Sequence, residues 1–506
     1  MNFSEDRCHV FALATGDRNP QHTDSSWAAR THTGVRTVPP ALVLLGALGA
    51  VDAERLAAAG SLVARFTHPV FPGRAYRVEV TAKPGVATTL TLSDGGLPAM
   101  TAQVGQSSDG EDPSTVRPVT GEPEVDDSHE SVVGACWDGP YRLPDPAALR
   151  TLADDLGTAA LPEALLGALG WAAWFTGADV PGVDGDVVGL RVSSAAEHYD
   201  DASSPRYQAV MRLADRRTGL VSADVCVAGI GRGVDVGVQG FRRLPVPTPD
   251  QQSSASVLPS GDRLAGRCVL AVGGGRGIGA GITGVLAMQG AQVWATQRSP
   301  GPVEALAGAF GQDLVRALTM DAGDPVSVAA AVDELVNRLA AEGNRLSGLV
   351  LSAGPAVPVC GLHPDSVNTF SGFVAHSLEL VLRPLAAFLP LLAPGCWVVL
   401  LSSGAVEDVP GDRPQYLVAK TAAEALARFC AARRDVRVLV VRAPRMRTDL
   451  TNGPLGTRGT VPVEIVASTV VGWVLGDVDV PETEPGLTVL SSDMLTGWAA
   501  ARQLRP

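Results

Sequence analysis

From Arg267 onward, short apolar runs alternate with alanine- and leucine-rich stretches so regularly that few folds remain open. The runs are Cys268-Val-Leu-Ala-Val272, Ala291-Gln-Val-Trp-Ala-Thr296, Gly348-Leu-Val-Leu-Ser352, Trp397-Val-Val-Leu-Leu-Ser402 and Val436-Arg-Val-Leu-Val-Val441. A strand that is apolar along its whole length has both faces covered, and strands joined by helical crossovers pair in parallel. Residues 263–506 therefore read as an α/β domain with a parallel sheet between helical layers.

The rest of the chain has a different period. Two compositional breaks, 107–130 (rich in Ser, Asp, Glu and Pro) and 245–262 (with a Gln-Gln-Ser-Ser-Ala-Ser run), read as linkers. The pieces 1–106 and 131–244 each pair an apolar helix candidate with alternating strands, such as Leu62–Val70 and Tyr207–Leu213. In the second piece the helix candidate is Leu161-Pro-Glu-Ala-Leu-Leu-Gly-Ala-Leu-Gly-Trp-Ala-Ala-Trp174. An antiparallel sheet wrapped on one helix, occurring twice, predicts a duplicated module.

Composition narrows the partners. At 506 residues the chain exceeds one ordinary core. A formal charge of -13 argues against a nucleic-acid or anionic-membrane partner. Seven scattered cysteines without a Cys-x-x-Cys pair suggest neither disulfide framework nor zinc site, which fits a reducing, cytoplasmic setting. The first residues lack the basic-then-apolar order of a signal peptide. The most apolar stretch, Leu378–Leu401, carries Glu379, Arg383 and three prolines, and reads as a buried helix followed by a strand, not a membrane span.

Only two lysines occur among 40 basic residues, and one of them, Lys420, follows Tyr416 by four on a helical segment. That spacing puts ammonium and phenol on one helix face, where the cation favours the ionised phenol and tunes a proton donor. Upstream, the first apolar run enters Gly273-Gly-Gly-Arg-Gly-Ile-Gly279 before a helix, an arrangement suited to a pyrophosphate at a helix N-terminus.

Together these residues resemble the short-chain dehydrogenase/reductase (SDR) family, over essentially all of 263–506, with its Rossmann-type, doubly wound sheet. Gly273, Gly277 and Gly279 stand at the family's glycine positions, with Arg276 and Ile278 between them and Val272 replacing the usual threonine. The resemblance implies that Asp321 contacts adenine, that Ser352-Ala353-Gly354 replaces Asn-Ala-Gly, and that Thr448 holds the nicotinamide carboxamide. It also implies that Ser403, Tyr416 and Lys420 are the catalytic set: Tyr416 gives the proton, Lys420 tunes it and bonds the ribose, and Ser403 bonds the carbonyl oxygen. The usual Pro-Gly reads Pro444-Arg445, and the family's catalytic asparagine is replaced by Ser377 or His376. The second run ends at Gln297-Arg298 without an acidic residue for a 2′-hydroxyl, so Arg298 and Arg276 are expected to clamp a 2′-phosphate, giving NADP(H) as cofactor.

Near the start stands Phe11-Ala-Leu-Ala-Thr-Gly-Asp-Arg-Asn-Pro-Gln-His-Thr-Asp24. Gly16 and Pro20 predict a shaped loop holding Asp17 and His22, a carboxylate and an imidazole able to move protons. The string resembles the signature of MaoC-like, (R)-specific enoyl-thioester hydratases of the hot-dog fold, over about 1–106. Gly16, Asp17, Asn19, Pro20, His22 and Asp24 fall on its pattern, and Phe66–Gly73 looks like the family's second strand. The resemblance implies that His22 takes the Cα proton of a 3-hydroxyacyl thioester, that Asp17 protonates the departing hydroxyl, and that an amide at a helix N-terminus, Pro40-Ala41 here, stabilises the enolate. Segment 131–244 lacks a second copy of the motif, so the N-terminal region is expected to be an α+β double hot dog with one active half. Glu197, His198 and Tyr199 are secondary candidates there.

The expected function is a bifunctional 3-ketoacyl-thioester reductase and 3-hydroxyacyl-thioester dehydratase, on acyl carrier protein or CoA thioesters, in polyketide or fatty-acid assembly. Two alternatives stay open: a hydratase/3-hydroxyacyl-CoA dehydrogenase working oxidatively, and a reductase with a noncatalytic hot-dog binding or dimerisation module. Arg433, Arg434, Arg445 and Arg447 are candidates for docking an acidic carrier, and both resemblances imply a dimer or tetramer.

Overall fold

The period-2 alternation of the first 245 residues folds into a single nine-stranded antiparallel sheet. The computed structural model describes residues 1–82, 87–106, 132–141, 144–194, 206–228, 233–243, 245–433, 436–454, 456 and 459–503. The segment 107–130, together with Glu197, His198, Tyr199 and Arg434, lies outside the described residues. Two units emerge: Met1–Pro245 with Gly361–Ser366 and Asn452–Leu455, and Val246–Cys360 with Val367–Thr451 and Gly456–Pro506.

In the first unit the strands are β1 (Ala59–Phe66), β2 (Arg77–Thr81), β3 (Thr88–Asp94), β4 (Leu97–Gln106), β5 (Cys136–Pro140), β6 (Gly185–Ser194), β7 (Arg206–Asp215), β8 (Leu220–Val227) and β9 (Val234–Arg242). Their order is β2-β3-β4-β1-β6-β9-β8-β7-β5. Read outward from the central β1–β6 pair, β1-β4-β3-β2 on one side is repeated as β6-β9-β8-β7 on the other. This is the duplicated module: a double hot dog whose halves share one sheet and one core. Each half has its helix, Pro40–Leu48 in the first and Glu163–Ala178 in the second. Both are apolar around most of their circumference, as a helix swallowed by a sheet must be. Leu42, Leu44, Leu45, Leu48, Leu165, Leu169, Trp171 and Phe175 are all fully buried in the common core. Strand β8 alternates buried and half-buried positions along its length, the signature of a sheet with one wet face.

The strand expected over Phe66–Gly73 ends at Phe66. Pro69 and Pro72 cannot donate to a ladder, so Thr67 and His68 bond instead to the Ala99 carbonyl and the chain turns away.

The second unit carries β10 (Cys268–Val272), β11 (Gln292–Gln297), β12 (Val315–Thr319), β13 (Leu346–Leu351), β14 (Leu392–Leu401), β15 (Val436–Val441), β16 (Glu482–Glu484) and β17 (Leu487–Leu490). Their order is β12-β11-β10-β13-β14-β15-β17-β16, parallel except for the β16–β17 edge pair. All five residues of β10 are buried, and its two faces feed two different cores. Val269 and Ala271 meet Ile282, Val285, Val466 and Val470 on one side; Leu270 and Val272 meet Leu335, Leu385 and Ala427 on the other. This is a doubly wound α/β sheet of the Rossmann type. The stretch 245–262, read as a linker, contains a helix, Gln251–Val257, capped by the Asp250 carboxylate on the Ser253 amide.

Among the described residues one helical stretch, Pro364–Leu391, is long and apolar enough to cross a membrane by length and composition. Here its Leu380, Val381, Leu385 and Phe388 pack on the parallel sheet.

Candidate functional sites

The Asp17 region is built by three local devices. The helix Glu5–Thr15 ends at Gly16, whose φ of 73° turns the chain back while its N–H donates to the Ala12 carbonyl. Asp17 Oδ1 then accepts the Asn19 N–H at 2.9 Å. Asn19 Oδ1 accepts the Gln21 N–H at 3.0 Å, capping a one-turn helix, Pro20–Thr23, with proline at its first position. His22 thus sits on a single helical turn where a shaped loop is expected, because cap and proline together close the turn.

His22 Nε2 lies 3.9 Å from Asp17 Oδ2, with side-chain exposures of 8% and 3%. Nδ1 lies 2.9 Å from the Thr37 carbonyl and 3.2 Å from the Thr37 hydroxyl. A carbonyl oxygen only accepts, so the proton is placed on Nδ1 and the lone pair on Nε2, facing Asp17. Burial raises the pKa of Asp17; the neighbouring His22 and the Asn19 N–H oppose this without cancelling it. The pair is therefore a lone-pair nitrogen beside a carboxyl group biased toward its protonated form. At the start of the Pro40–Leu48 helix, Pro39 and Pro40 have no N–H, and Val43 is committed to the Pro39 carbonyl. That leaves the Ala41 and Leu42 amides without intrahelical partners.

In the second unit the strand order reverses between β10 and β13, and in doubly wound sheets the ligand crevice lies at the carboxyl ends of the strands at such a reversal. Gly273 (φ 74°) and Gly277 (φ 53°) both occupy left-handed backbone. A Cβ on Gly279 would stand 2.2 Å from the Gly273 carbonyl, so only glycine lets this helix start approach the turn. A Cβ on Gly354 would meet open space, and one on Gly277 would touch Thr448. Turn, helix start and opening fit a dinucleotide; bound there, a reduced nicotinamide supplies hydride. Ser352 Oγ donates to the Val272 carbonyl at 2.7 Å, tying β13 to the glycine turn. Asp321 Oδ1 accepts the Gly323 N–H. Arg298 is exposed. Arg276 lies 3.5 Å from Asp449 Oδ2, so of the two expected clamp residues it already has an acidic neighbour.

Tyr416 and Lys420 share a face of the Pro414–Arg433 helix, the ammonium 5.7 Å from the ring centroid. Lys420 Nζ donates to the Leu401 carbonyl at 2.8 Å, and Ser403 Oγ accepts the Ala405 N–H at 3.2 Å. Both anchors lie at the end of β14, so the helix and the serine turn are indexed to one strand. His376 is exposed on the Val367–Phe388 helix, and Ser377 Oγ is buried with no hydrogen-bond partner among the described residues. Arg445 is exposed and Arg447 half-buried.

Three groups escaped sequence reading. Thr37 sets the His22 tautomer from fifteen residues away, and Gly177 packs on the Asp17 turn; neither leaves a local signal. The third is an ion network. Glu424, one helical turn beyond Lys420 and 6% exposed, accepts from Arg442 Nε (3.1 Å) and Nη2 (2.8 Å) and from Ser402 Oγ (2.5 Å). Arg442 also bonds Glu407, which accepts the Ser492 N–H. The network pins the Ser402-Ser403 strand end, the tyrosine helix and the end of β15 together, and its carboxylates push the Arg442 pKa up. Glu424→Ala leaves Arg442 with Glu407 alone and strands the buried Ser402 hydroxyl, with an expected loss of about 2 kcal/mol. Denaturant titration of the second unit's transition checks it, and Arg442→Met in the same background should recover part of the loss.

Comparison with known families agrees with this division. The family model described as "MaoC like domain" matches residues 1–88, and that described as "Enoyl-(Acyl carrier protein) reductase" matches residues 272–496. The chain is a fusion of an N-terminal MaoC-like domain with a C-terminal SDR-type, enoyl-reductase-like domain. Similar solved structures include an SDR from Serratia marcescens (23% identity, 46% of this chain, 99% of that chain, TM-score 0.39). An SDR from Burkholderia cenocepacia, in complex with NADP, shares 24% identity over 46% of this chain and 98% of that chain (TM-score 0.39). A 3-ketoacyl-(acyl-carrier-protein) reductase from Brucella melitensis, complexed with NADH, shares 19% over 46% and 99% (TM-score 0.40). No curated protein matches the chain. The fusion is that of an oxidoreductase with a dehydratase-type domain.

Proposed function

We propose that this protein reduces a 3-ketoacyl thioester with NADPH and then dehydrates the resulting 3-hydroxyacyl thioester to the trans-2-enoyl product. The observation that carries the proposal is chemical: one chain holds a tyrosine–lysine–serine set beside a dinucleotide crevice and a separate carboxyl–imidazole pair. The product of the first is the substrate of the second.

In the reductase, Ser403 and the Tyr416 hydroxyl bond the ketone oxygen, and Tyr416 gives its proton to that oxygen as the carbonyl becomes an alcohol. Lys420 holds positive charge beside the phenol, favouring the phenolate left behind. In the dehydratase, His22 Nε2 removes the C2 proton and the C3–O bond breaks. Asp17 Oδ2 protonates the departing hydroxyl, which leaves as water. The Ala41 and Leu42 amides, at the positive end of their helix, suit the thioester oxygen as negative charge builds there.

NADPH over NADH is supported by Arg298, which follows β11 directly; the nearest acidic side chain, Glu304, is engaged by the Gln297 amide and the Gly301 N–H. The kcat/KM ratio of the two cofactors should favour NADPH, and Arg298→Ala should erode that ratio about tenfold, the worth of one charge-assisted bond. Equal use of both by the wild type would remove this part of the reading. The acyl group is proposed to arrive on a carrier protein or CoA, in polyketide or fatty-acid assembly.

The test is to incubate the full chain with NADPH and a short 3-ketoacyl thioester, following absorbance and product mass. An enoyl product from the wild type, with hydroxyacyl thioester accumulating in His22→Ala, is expected. A wild type that stops at the hydroxyacyl thioester would leave a ketoreductase carrying a hot-dog module of another purpose.

A further inference from the structure

We propose that the motif-free second half of the double hot dog belongs to the dehydratase site, with Gly177 as a positioning residue that seals the Oδ1 side of Asp17. The inference rests on the dehydratase reading above and assigns that half a role in it. Gly177 lies in the last turn of the Glu163–Ala178 helix, which is contributed entirely by the second half. A Cβ at this position would stand 2.5 Å from Asp17 Oδ1, 3.1 Å from the Asn19 amide nitrogen and 3.3 Å from that of Arg18. No real Cβ sits that close to a carboxylate oxygen, so the helix reaches the Asp17 turn only because residue 177 has no side chain.

The two oxygens of Asp17 therefore have different surroundings. Oδ1 is covered by the helix and accepts the Asn19 N–H; Oδ2 faces His22 Nε2. A proton on Oδ1 would forfeit the Asn19 bond, so the transferable proton resides on Oδ2, on the side of the base. The charged and titratable surroundings are sparse. The Pro20–Thr23 helix brings His22; the Glu5–Thr15 helix meets the turn through Thr15, whose hydroxyl accepts the Asp17 N–H; Arg18 follows in the turn itself; and on the Glu163–Ala178 side Glu163 is at the far end, while Asp179, the C-cap, accepts from Trp137 and Tyr207. Burial is the largest influence on Asp17, and this helix end supplies part of that burial.

Gly177→Ala tests the idea, with Gly170→Ala as its matched control. Gly170 is on the same helix and equally tight, but its Cβ would meet Leu149 and Pro144, away from Asp17. In Gly177→Ala the turn and helix must part, admitting water to Oδ1. The expected result is a fall of about tenfold or more in dehydration kcat with little change in KM. Because relief of burial lowers the Asp17 pKa, the basic limb of the rate profile should move to lower pH. Gly170→Ala should alter stability only, and NADPH oxidation should be unchanged in both. Wild-type kcat and pH profile in Gly177→Ala, or the same loss in Gly170→Ala, would overturn the proposal.

A second readout separates this inference from the dehydratase reading: the 13Cγ titration of Asp17, assigned with Asp17→Asn. A wild-type midpoint above the ordinary value of 3.8, lowered by Gly177→Ala, supports the sealing role even if no thioester is dehydrated. A wild-type midpoint near 3.8 overturns it without any variant needing to fold.

Discussion

Asp17→Asn is expected to stop dehydration and at the same time to make the first unit more stable at neutral pH. The loss of activity follows from removing the acid: a positioned proton donor contributes on the order of 10³-fold in rate. Asparagine keeps an oxygen for the Asn19 N–H, so the turn should persist. The gain in stability follows from linkage. Burial raises the native pKa of Asp17 above its ordinary value of 3.8, so the native state holds that proton more tightly than the unfolded chain. The contribution of Asp17 is therefore fully present below 3.8 and is lost as pH rises through the raised native value, where a charge must be kept in a dry site. Asparagine carries no such charge. Thermal unfolding at pH 8 should show the variant's first transition higher by roughly 2 °C, with the difference vanishing toward pH 4. A variant less stable than wild type at every pH would mean that Asp17 is held as a carboxylate by His22, and that the two exchange roles as acid and base. In the wild type, dehydration itself should slow as pH rises through the Asp17 value.

Tyr416→Phe should reduce NADPH-dependent ketone reduction by about 10³-fold while leaving dehydration of an added 3-hydroxyacyl thioester intact. The ring, its apolar contacts and the Lys420 ammonium 5.7 Å from its centroid all remain, so only the transferable proton is lost. NADPH affinity, read by fluorescence titration, should change little, because the glycine turn and the crevice between β10 and β13 are untouched. A variant that still oxidises NADPH at an appreciable fraction of the wild-type rate would show that another group delivers the proton. The buried Ser377 hydroxyl, with no partner among the described residues, would then be the place to look.

Legibility differed sharply between the two units. The apolar runs from Cys268 to Val441 were readable as parallel strands because each is buried on both faces, a condition composition alone reveals. The tyrosine–lysine spacing was readable because a helix converts a separation of four into adjacency. The hot-dog repeat was fainter: its halves share an arrangement of helix and strands but little sequence. It became plain only from the strand order, mirrored about the β1–β6 pair. The strand that the MaoC-like resemblance implies over Phe66–Gly73 stops at Phe66 because Pro69 and Pro72 have no N–H to give a ladder.

By itself, the sequence determined the classes of the two folds and pointed to candidate reactive groups, because periodicity, glycines at forced turns and closely spaced side chains are local properties of a chain. Tertiary structure alone decided how those groups are set. The His22 tautomer depends on Thr37, the choice of Asp17 oxygen on Gly177, and the register of Ser403 against Tyr416 on Glu424 and Arg442. Thr37, Gly177 and Arg442 lie outside the segments they set, Glu424 shares the Tyr416 helix but acts by binding Ser402 and Arg442, and each works through burial or a hydrogen bond that exists only once the core has closed. Proton placement in a dry site is governed by what surrounds it, and those surroundings are not encoded near the residue that carries the proton.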